Sequence, residues 1–128
     1  MDPVARELVR RRARDCCEYC GLPQASAPFA QYHVEHIVAR QHGGTDELAN
    51  LALACFHCNV HKGPNLSSID PVSGQIVNLF NPRQQAWSEH FVMRRSVVIG
   101  VTPVGRATAN LLRMNAPLRQ ELRSPGGV

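Results

Sequence analysis

An α+β fold is what these 128 residues predict, on three observations. Two Cys-x-x-Cys pairs, Cys17/Cys20 and Cys55/Cys58, stand far apart in the chain. A strand, a loop, a second strand and a helix are expected in that order between Ala30 and Lys62. Stretches with apolar residues at helical spacing lie on both sides, and one hairpin pattern follows the second Cys pair.

The length suits one domain with a modest core. Aromatic residues make up only 5%. A metal cross-link, which constrains the unfolded chain and adds folding energy, would strengthen such a core. The formal charge of +4 and the pI near 9.1 rest on thirteen Arg and a single Lys, Lys62. Guanidinium groups bind phosphate in bidentate fashion, which favours a polyanionic partner. Four thiolates around one zinc would lower the net charge to about +2, so global charge is weak evidence by itself. The chain opens Met1-Asp-Pro-Val with no charged-then-apolar leader, and no run approaches the roughly 18 apolar residues of a spanning helix. A cytoplasmic protein with no membrane partner is therefore expected, and in a reducing compartment its five Cys read as metal ligands before disulfides.

Asp2 caps a first helix with Pro3 at its opening position, and Val4, Leu8, Val9 and Ala13 carry it to about Asp15. Its other faces hold Arg6, Arg10, Arg11, Arg12 and Arg14, which suits a phosphate-contacting helix and equally a solvated face. Gly21 after Cys20 allows the positive φ that turns backbone amides toward sulfur. Residues 22–29 are a loop. From Ala30 to Val38 the β-formers Tyr32, Val34, Ile37 and Val38 predict a strand. Alternation puts His33 and Glu35 on one face, Val34 and His36 on the other. Arg40 to Asp46 is a Gly-rich loop, Leu51–Ala54 a second short strand, and Phe56 to Lys62 a helix ended by Gly63-Pro64. Ile69 to Val77 predicts a hairpin turning near Ser73-Gly74. Trp87 to Met93 is a short amphipathic stretch and Val97 to Val101 a strand. Thr102-Pro103 opens a helix that stops by Asn115-Ala-Pro117, and Ser124 to Val128 should fray.

Two short Cys pairs are the pattern of a closed tetrahedral thiolate site, each pair spanning a tight turn and the metal joining the two turns. A dithiol redox couple is the competing use, but such motifs occur singly at a helix start after a parallel strand. Cys16 is left over and reads as a small apolar filler. His57 or His61 is the replacement ligand if one thiol is not used. Inside the pairs, Glu35, His36 and Asn59 bring together a carboxylate, an imidazole and an amide. Phosphodiester hydrolysis takes an activated water, charge neutralisation and stabilisation of the departing oxygen. Imidazole takes up a proton near neutral pH, and carboxylate and amide oxygens suit Mg²⁺ or Mn²⁺. The plain alternative is a surface pair beside a structural zinc.

The set Cys17-x-x-Cys20, Val34-Glu35-His36-Ile37, Gly43-Gly44, Asn50-Leu51 and Cys55-x-x-Cys58-Asn59-x-x-Lys62-Gly63 resembles the HNH endonucleases of the zinc-bearing ββα-metal type, over residues 17–63. Gly63-Pro-Asn, Leu79-Phe-Asn-Pro82, Trp87-Ser-Glu-His-Phe91 and Thr102-Pro-x-Gly-Arg106 are similar to an extension found on small bacterial HNH proteins. The resemblance implies a ββα-metal (His-Me finger) core stapled by a four-cysteine zinc site, with flanking helices and a small hairpin. Residues 1–128 would form one HNH nuclease domain: a basic helix over 1–16, the core over 17–63 and an extension over 64–128.

The resemblance further implies His36 as general base, Glu35 and Asn59 as ligands of one catalytic Mg²⁺ or Mn²⁺, and Asn50 as support for the loop that orients His36. Zn²⁺ on Cys17, Cys20, Cys55 and Cys58 would be structural. Glu35 stands where the family more often has Asp, and Asn59 where it commonly has His. The activity implied is metal-dependent cleavage of double-stranded DNA, leaving 5′-phosphate and 3′-hydroxyl ends. Its rival is a zinc-stabilised DNA-binding module without turnover. His33, on the face of Glu35, and His61, on the helix of Asn59, are further candidates at metal or phosphate. Arg40, Lys62, Arg10 and Arg11 are candidate DNA-backbone contacts, while His42 and His90 read as surface or packing residues. A homodimer or an accessory specificity protein would supply target choice.

Overall fold

Helix α1 spans Pro3–Arg12 in the computed structural model, which describes residues 2–124. The Asp2 carboxylate accepts from the Val4 amide at 2.9 Å, and Pro3 lacks an amide where none is needed. The helix ends at Arg12 rather than near Asp15, because Arg14 and Asp15 turn the chain with φ of 55° and 54°.

Strands β1 (His33–His36) and β2 (Leu51–Ala54) pair antiparallel, with Glu35 opposite Ala52 and His36 opposite Leu51. Helix α2 (Phe56–Lys62) follows at once, so the strand, loop, strand and helix form one ββα unit. β1 is shorter than the run from Ala30 to Val38. At its start the Tyr32 amide donates to Gln24 Oε1 at 2.9 Å, and past its end the Asn50 side chain occupies the backbone of Val38. β2 and α2 lie where the sequence puts them. All of β2 is buried, Cys55 Sγ accepts from the Cys58 amide, and Gly63 with φ 51° ends the helix.

The extension opens with the hairpin β3 (Ser67–Ile69) and β4 (Ile76–Asn78), Gly74 taking φ 75° in its turn. The amphipathic stretch from Trp87 divides into one helical turn, α3 (Trp87–His90), and a strand, β5 (Phe91–Arg94), paired with β6 (Val97–Gly100). α4 (Pro103–Leu111) is capped by Thr102, whose hydroxyl accepts from the Gly105 amide. Pro117 does not end the helical region. It opens α5 (Pro117–Arg123), at a position where a missing amide costs nothing. Of the tail expected to fray, Pro125 to Val128 lie outside the described residues.

One hydrophobic core draws on all three stretches: Val9 from α1, Tyr19, Leu51 and Leu53 from the ββα segment, and Phe80, Phe91 and Leu112 from the extension. Phe91 stacks on Trp87 at 5.0 Å and meets Phe80 edge-on at 5.3 Å. α4 packs so closely on α3 that a Cβ on Gly105 would sit 2.0 Å from the His90 carbonyl oxygen. Asp70, fully buried, accepts from Arg106 Nε and Nη2 at 2.9 and 2.8 Å, and this pairing holds its carboxyl well below the usual range. No helix among the described residues is long and apolar enough to cross a membrane.

Candidate metal centre and catalytic face

The sulfurs of Cys17, Cys20, Cys55 and Cys58 lie within 4.8 Å of one another and are buried. Cys20 and Cys55 Sγ are 3.9 Å apart, close to the edge of about 3.8 Å in a tetrahedron with metal–sulfur bonds near 2.3 Å. Four thiol donors in that arrangement fit zinc, with no protein-free position left over. Burial pushes the Cys17 thiol up, while hydrogen bonds from Cys17 hold Cys20 and Cys55 down. Four sulfurs at such spacing cannot all ionise without a cation to neutralise them.

The two turns that carry these thiols are fastened to the rest of the fold. The Glu18 amide donates to the Leu53 carbonyl at 2.9 Å, and Glu18 Oε2 accepts from the Leu53 amide at 2.8 Å. Glu18 Oε1 also accepts from Arg83, and Trp87 Nε1 donates to the Tyr19 carbonyl. Arg119, on α5, is only 8% exposed and donates from Nη2 to Cys55 Sγ at 3.2 Å. Burial alone would lower its pKa, and the sulfurs of Cys55 and Cys20 outweigh that effect and raise it. Arg119 places a cation against a cluster that stays anionic even around zinc. Pro117 reads in the sequence as the stop of the preceding helix, so neither α5 nor this role of Arg119 is expected from it.

Glu35 points inward from β1 and is only 5% exposed. Its Oε1 accepts from the Tyr19 hydroxyl, and its Oε2 lies 3.4 Å from Lys62 Nζ. Burial raises the Glu35 carboxyl, and Lys62 and Tyr19 oppose that shift. Lys62 also donates to the Ile37 carbonyl at 3.0 Å and is 2% exposed. Its place as a phosphate contact is thereby corrected: a buried ammonium spent on Glu35 and Ile37 does not reach a surface ligand. Asn59 lies one turn before Lys62 on the same face of α2, where i and i+3 side chains are neighbours. It is partly exposed, and its carboxamide has no hydrogen-bond partner among the described residues.

His36 emerges on the opposite face of β1, its side chain 20% exposed, with Nε2 2.7 Å from Asp46 Oδ1. Arg40 donates from Nη2 to both Asp46 oxygens, at 2.8 and 3.0 Å. The His36 contact first, and Arg40 with it, hold the Asp46 carboxyl below its usual range. Asp46 reaches His36 because the loop folds back on itself. Gly44 lies so near the Val38 carbonyl that a Cβ there would be 1.7 Å from its oxygen. Asn50 locks the return: Oδ1 accepts from the Val38 amide at 2.9 Å, and Nδ2 donates to the Val38 and Thr45 carbonyls at 3.0 and 2.8 Å. Asp46 was not singled out from sequence, though a carboxylate closing a Gly-Gly loop after a histidine is a readable signal.

The remaining candidates are placed as follows. His33 is exposed, its ring 6.0 Å from that of Phe56. His61 Nδ1 donates to the His57 carbonyl at 2.8 Å, and its ring lies 4.2 Å from that of His57. His57 Nε2 is 2.9 Å from the Arg113 carbonyl, so this pair docks α2 on the turn after α4. Neither His57 nor His61 stands in for a thiol. Arg10 is turned inward, donating to the Tyr32 carbonyl at 2.8 Å, whereas Arg11 is exposed beside Glu7. His90 packs inside the extension, 2.6 Å from the Thr102 hydroxyl. Cys16, partly buried, is outside the cluster.

A second cation needs hard oxygen donors, and the Glu35 carboxylate with the Asn59 amide oxygen is such a set. The fit carries one condition: Glu35 Oε2 would have to exchange Lys62 for the ion. Neither the curated proteins nor the solved structures contain a match to the chain. A family model described as HNH endonuclease matches residues 17–65, which hold the ββα unit, the four thiols, Glu35, His36, Asn50 and Asn59. Over residues 17–65, then, the chain is similar to the HNH endonuclease family.

Proposed function

We propose that the chain is a metal-dependent endonuclease that hydrolyses phosphodiester bonds in double-stranded DNA, with residues 1–128 acting as one unit. The observation that carries this reading is the His36–Asp46 contact at the surface of an HNH segment. The Asp46 carboxylate only accepts, so Nε2 bears the ring proton and Nδ1 keeps a lone pair for a water proton. Arg40 fixes Asp46 from its other side, and Asn50 fixes the loop, so the imidazole is oriented before substrate arrives. Glu35 and Asn59 would hold one Mg²⁺ or Mn²⁺, which neutralises charge on the phosphate and its departing oxygen. Exposed Arg11 and the outer edge of Arg40 are available to flanking phosphates. Zinc on the four thiols is assigned the structural role.

One observation favours a second reading, a DNA-binding module without turnover: the carboxylate that should bind the cation is already paired with Lys62. Plasmid nicking in a metal series separates the two. The endonuclease nicks supercoiled DNA with Mg²⁺ or Mn²⁺, and His36→Ala suppresses nicking at unchanged zinc content. A module without turnover shifts the DNA in a gel and leaves it uncut under every metal.

A further inference from the structure

Beside the catalytic face, where the HNH segment meets the extension, lies a cavity of about 270 Å³ whose lining mixes carboxamides with apolar side chains. Asn65, Asn78, Asn81, Gln84 and Gln85 contribute to it, and no carboxylate does. We propose that this cavity reads one base of the DNA strand next to the scissile phosphate, an inference that rests on the endonuclease reading for its substrate.

Position is the first argument. The cavity is walled by Ile37 and Val38, the residues directly after His36, and by Lys62, which holds Glu35. Chain connectivity keeps that wall within two residues of His36, so a strand bound at His36 lies near the cavity.

Hydrogen-bonding capacity is the second. Asn65 Nδ2 donates to the Lys62 carbonyl, leaving Oδ1 as a spare acceptor. Asn81 Oδ1 accepts from the Arg83 amide and Gln85 Oε1 from the Asn81 amide, leaving both NH₂ groups as spare donors. Asn78 and Gln84 are exposed, and their carboxamides have no partner among the described residues. Spare donors and spare acceptors side by side match a base edge, as when Asn or Gln bonds adenine N6 and N7 together. They do not match a phosphate, which offers acceptors only.

Size and walls agree with this. The volume is below the roughly 300–1,000 Å³ of clefts that enclose drug-sized ligands, and suits one planar group. Leu66, which is exposed, and Val38, partly buried, give apolar surface on which the face of a base can rest.

The test is equilibrium binding of the zinc-replete full chain to fluorescein-labelled short duplexes that differ in their central base pairs, with Ca²⁺ as the only added divalent ion. Wild-type affinities should spread by at least about tenfold across the panel, narrowing below about threefold in Asn78→Ala combined with Gln84→Ala. Gln84→Ala alone should give an intermediate spread, and thermal melting checks that each variant is folded. A wild type with no spread, or a variant that binds more weakly but keeps the spread, overturns the cavity as a base reader. Because no cutting is measured, this failure is distinct from that of the endonuclease reading, which is read by wild-type nicking in Mg²⁺ or Mn²⁺.

Discussion

Helix α2 carries two polar centres, one at each end, and they are built on opposite rules. At its start, Cys55 and Cys58 join Cys17 and Cys20 in a buried cluster whose sulfurs all face one another. Arg119 and the backbone amides of Cys20 and Cys58 complete that cluster from outside. At its end, Lys62 holds Glu35, while among the described residues the Asn59 carboxamide, one turn earlier, and one ring nitrogen of His36 have no partner. The first centre needs only a metal ion to be finished. The second is open, with a buried carboxylate paired to Lys62 beside a partly exposed amide and imidazole. In the reading proposed above, stability would belong to the closed centre and chemistry to the open one, with α2 linking the two.

The largest expected effect comes from opening the closed centre. Cys58→Ser should abolish stoichiometric zinc binding and the cooperative melt, since structural zinc contributes roughly 10–16 kcal/mol in small metal-dependent folds. Retention of a wild-type melting curve without zinc would remove the staple from the account. Next is the ion pair at the other end. Lys62→Met leaves the Glu35 carboxylate buried without its cation and should cost about 3–5 kcal/mol by urea unfolding. If Glu35 is a cation ligand, millimolar Mn²⁺ should restore part of that loss in Lys62→Met and little in the Lys62→Met, Glu35→Gln pair. Equal behaviour of the two variants in Mn²⁺ would mean that Glu35 serves Lys62 alone.

Smaller effects fall outside both buried groups. Asp46→Asn keeps the shape of the loop but removes the carboxylate that fixes the His36 tautomer, and should slow nicking by about tenfold or more at near-normal stability. An unchanged rate would leave the His36–Asp46 contact without a role. The mildest prediction concerns Arg119. Arg119→Met removes the cation that faces Cys55 and should speed zinc release to a chromogenic chelator by about tenfold, with the fold intact. Release at the wild-type rate would reduce Arg119 to a packing residue.

Much of this contrast is legible in the amino-acid order, for reasons that differ by residue. β2 and α2 could be bounded because an all-apolar tetrapeptide runs into a cysteine turn and Gly63-Pro64 stops the helix. The separation of His36 from Glu35 follows from strand alternation alone. What one-dimensional spacing does not carry is the choice of partner across the fold. Lys62 looked like a surface cation because lysines usually are, and only the packing of α2 on β1 turns it toward Glu35. Asp46 comes to His36 through a Gly-Gly reversal whose closeness depends on Val38. β5 was hidden because three of its four residues face solvent, and α5 because Pro117 signals a helix stop and a helix start equally well.

The central claim is that the open centre cleaves DNA while the closed one holds it in shape. The most direct measurement is the nicking rate of supercoiled plasmid with Mg²⁺ or Mn²⁺ by wild type and His36→Ala, alongside the zinc content and melting temperature of the same samples. The account predicts a fall of about 10²–10⁴-fold in nicking, with zinc content and melting temperature near wild type. Nicking that persists in His36→Ala, or that is lost only together with the zinc and the fold, would contradict it.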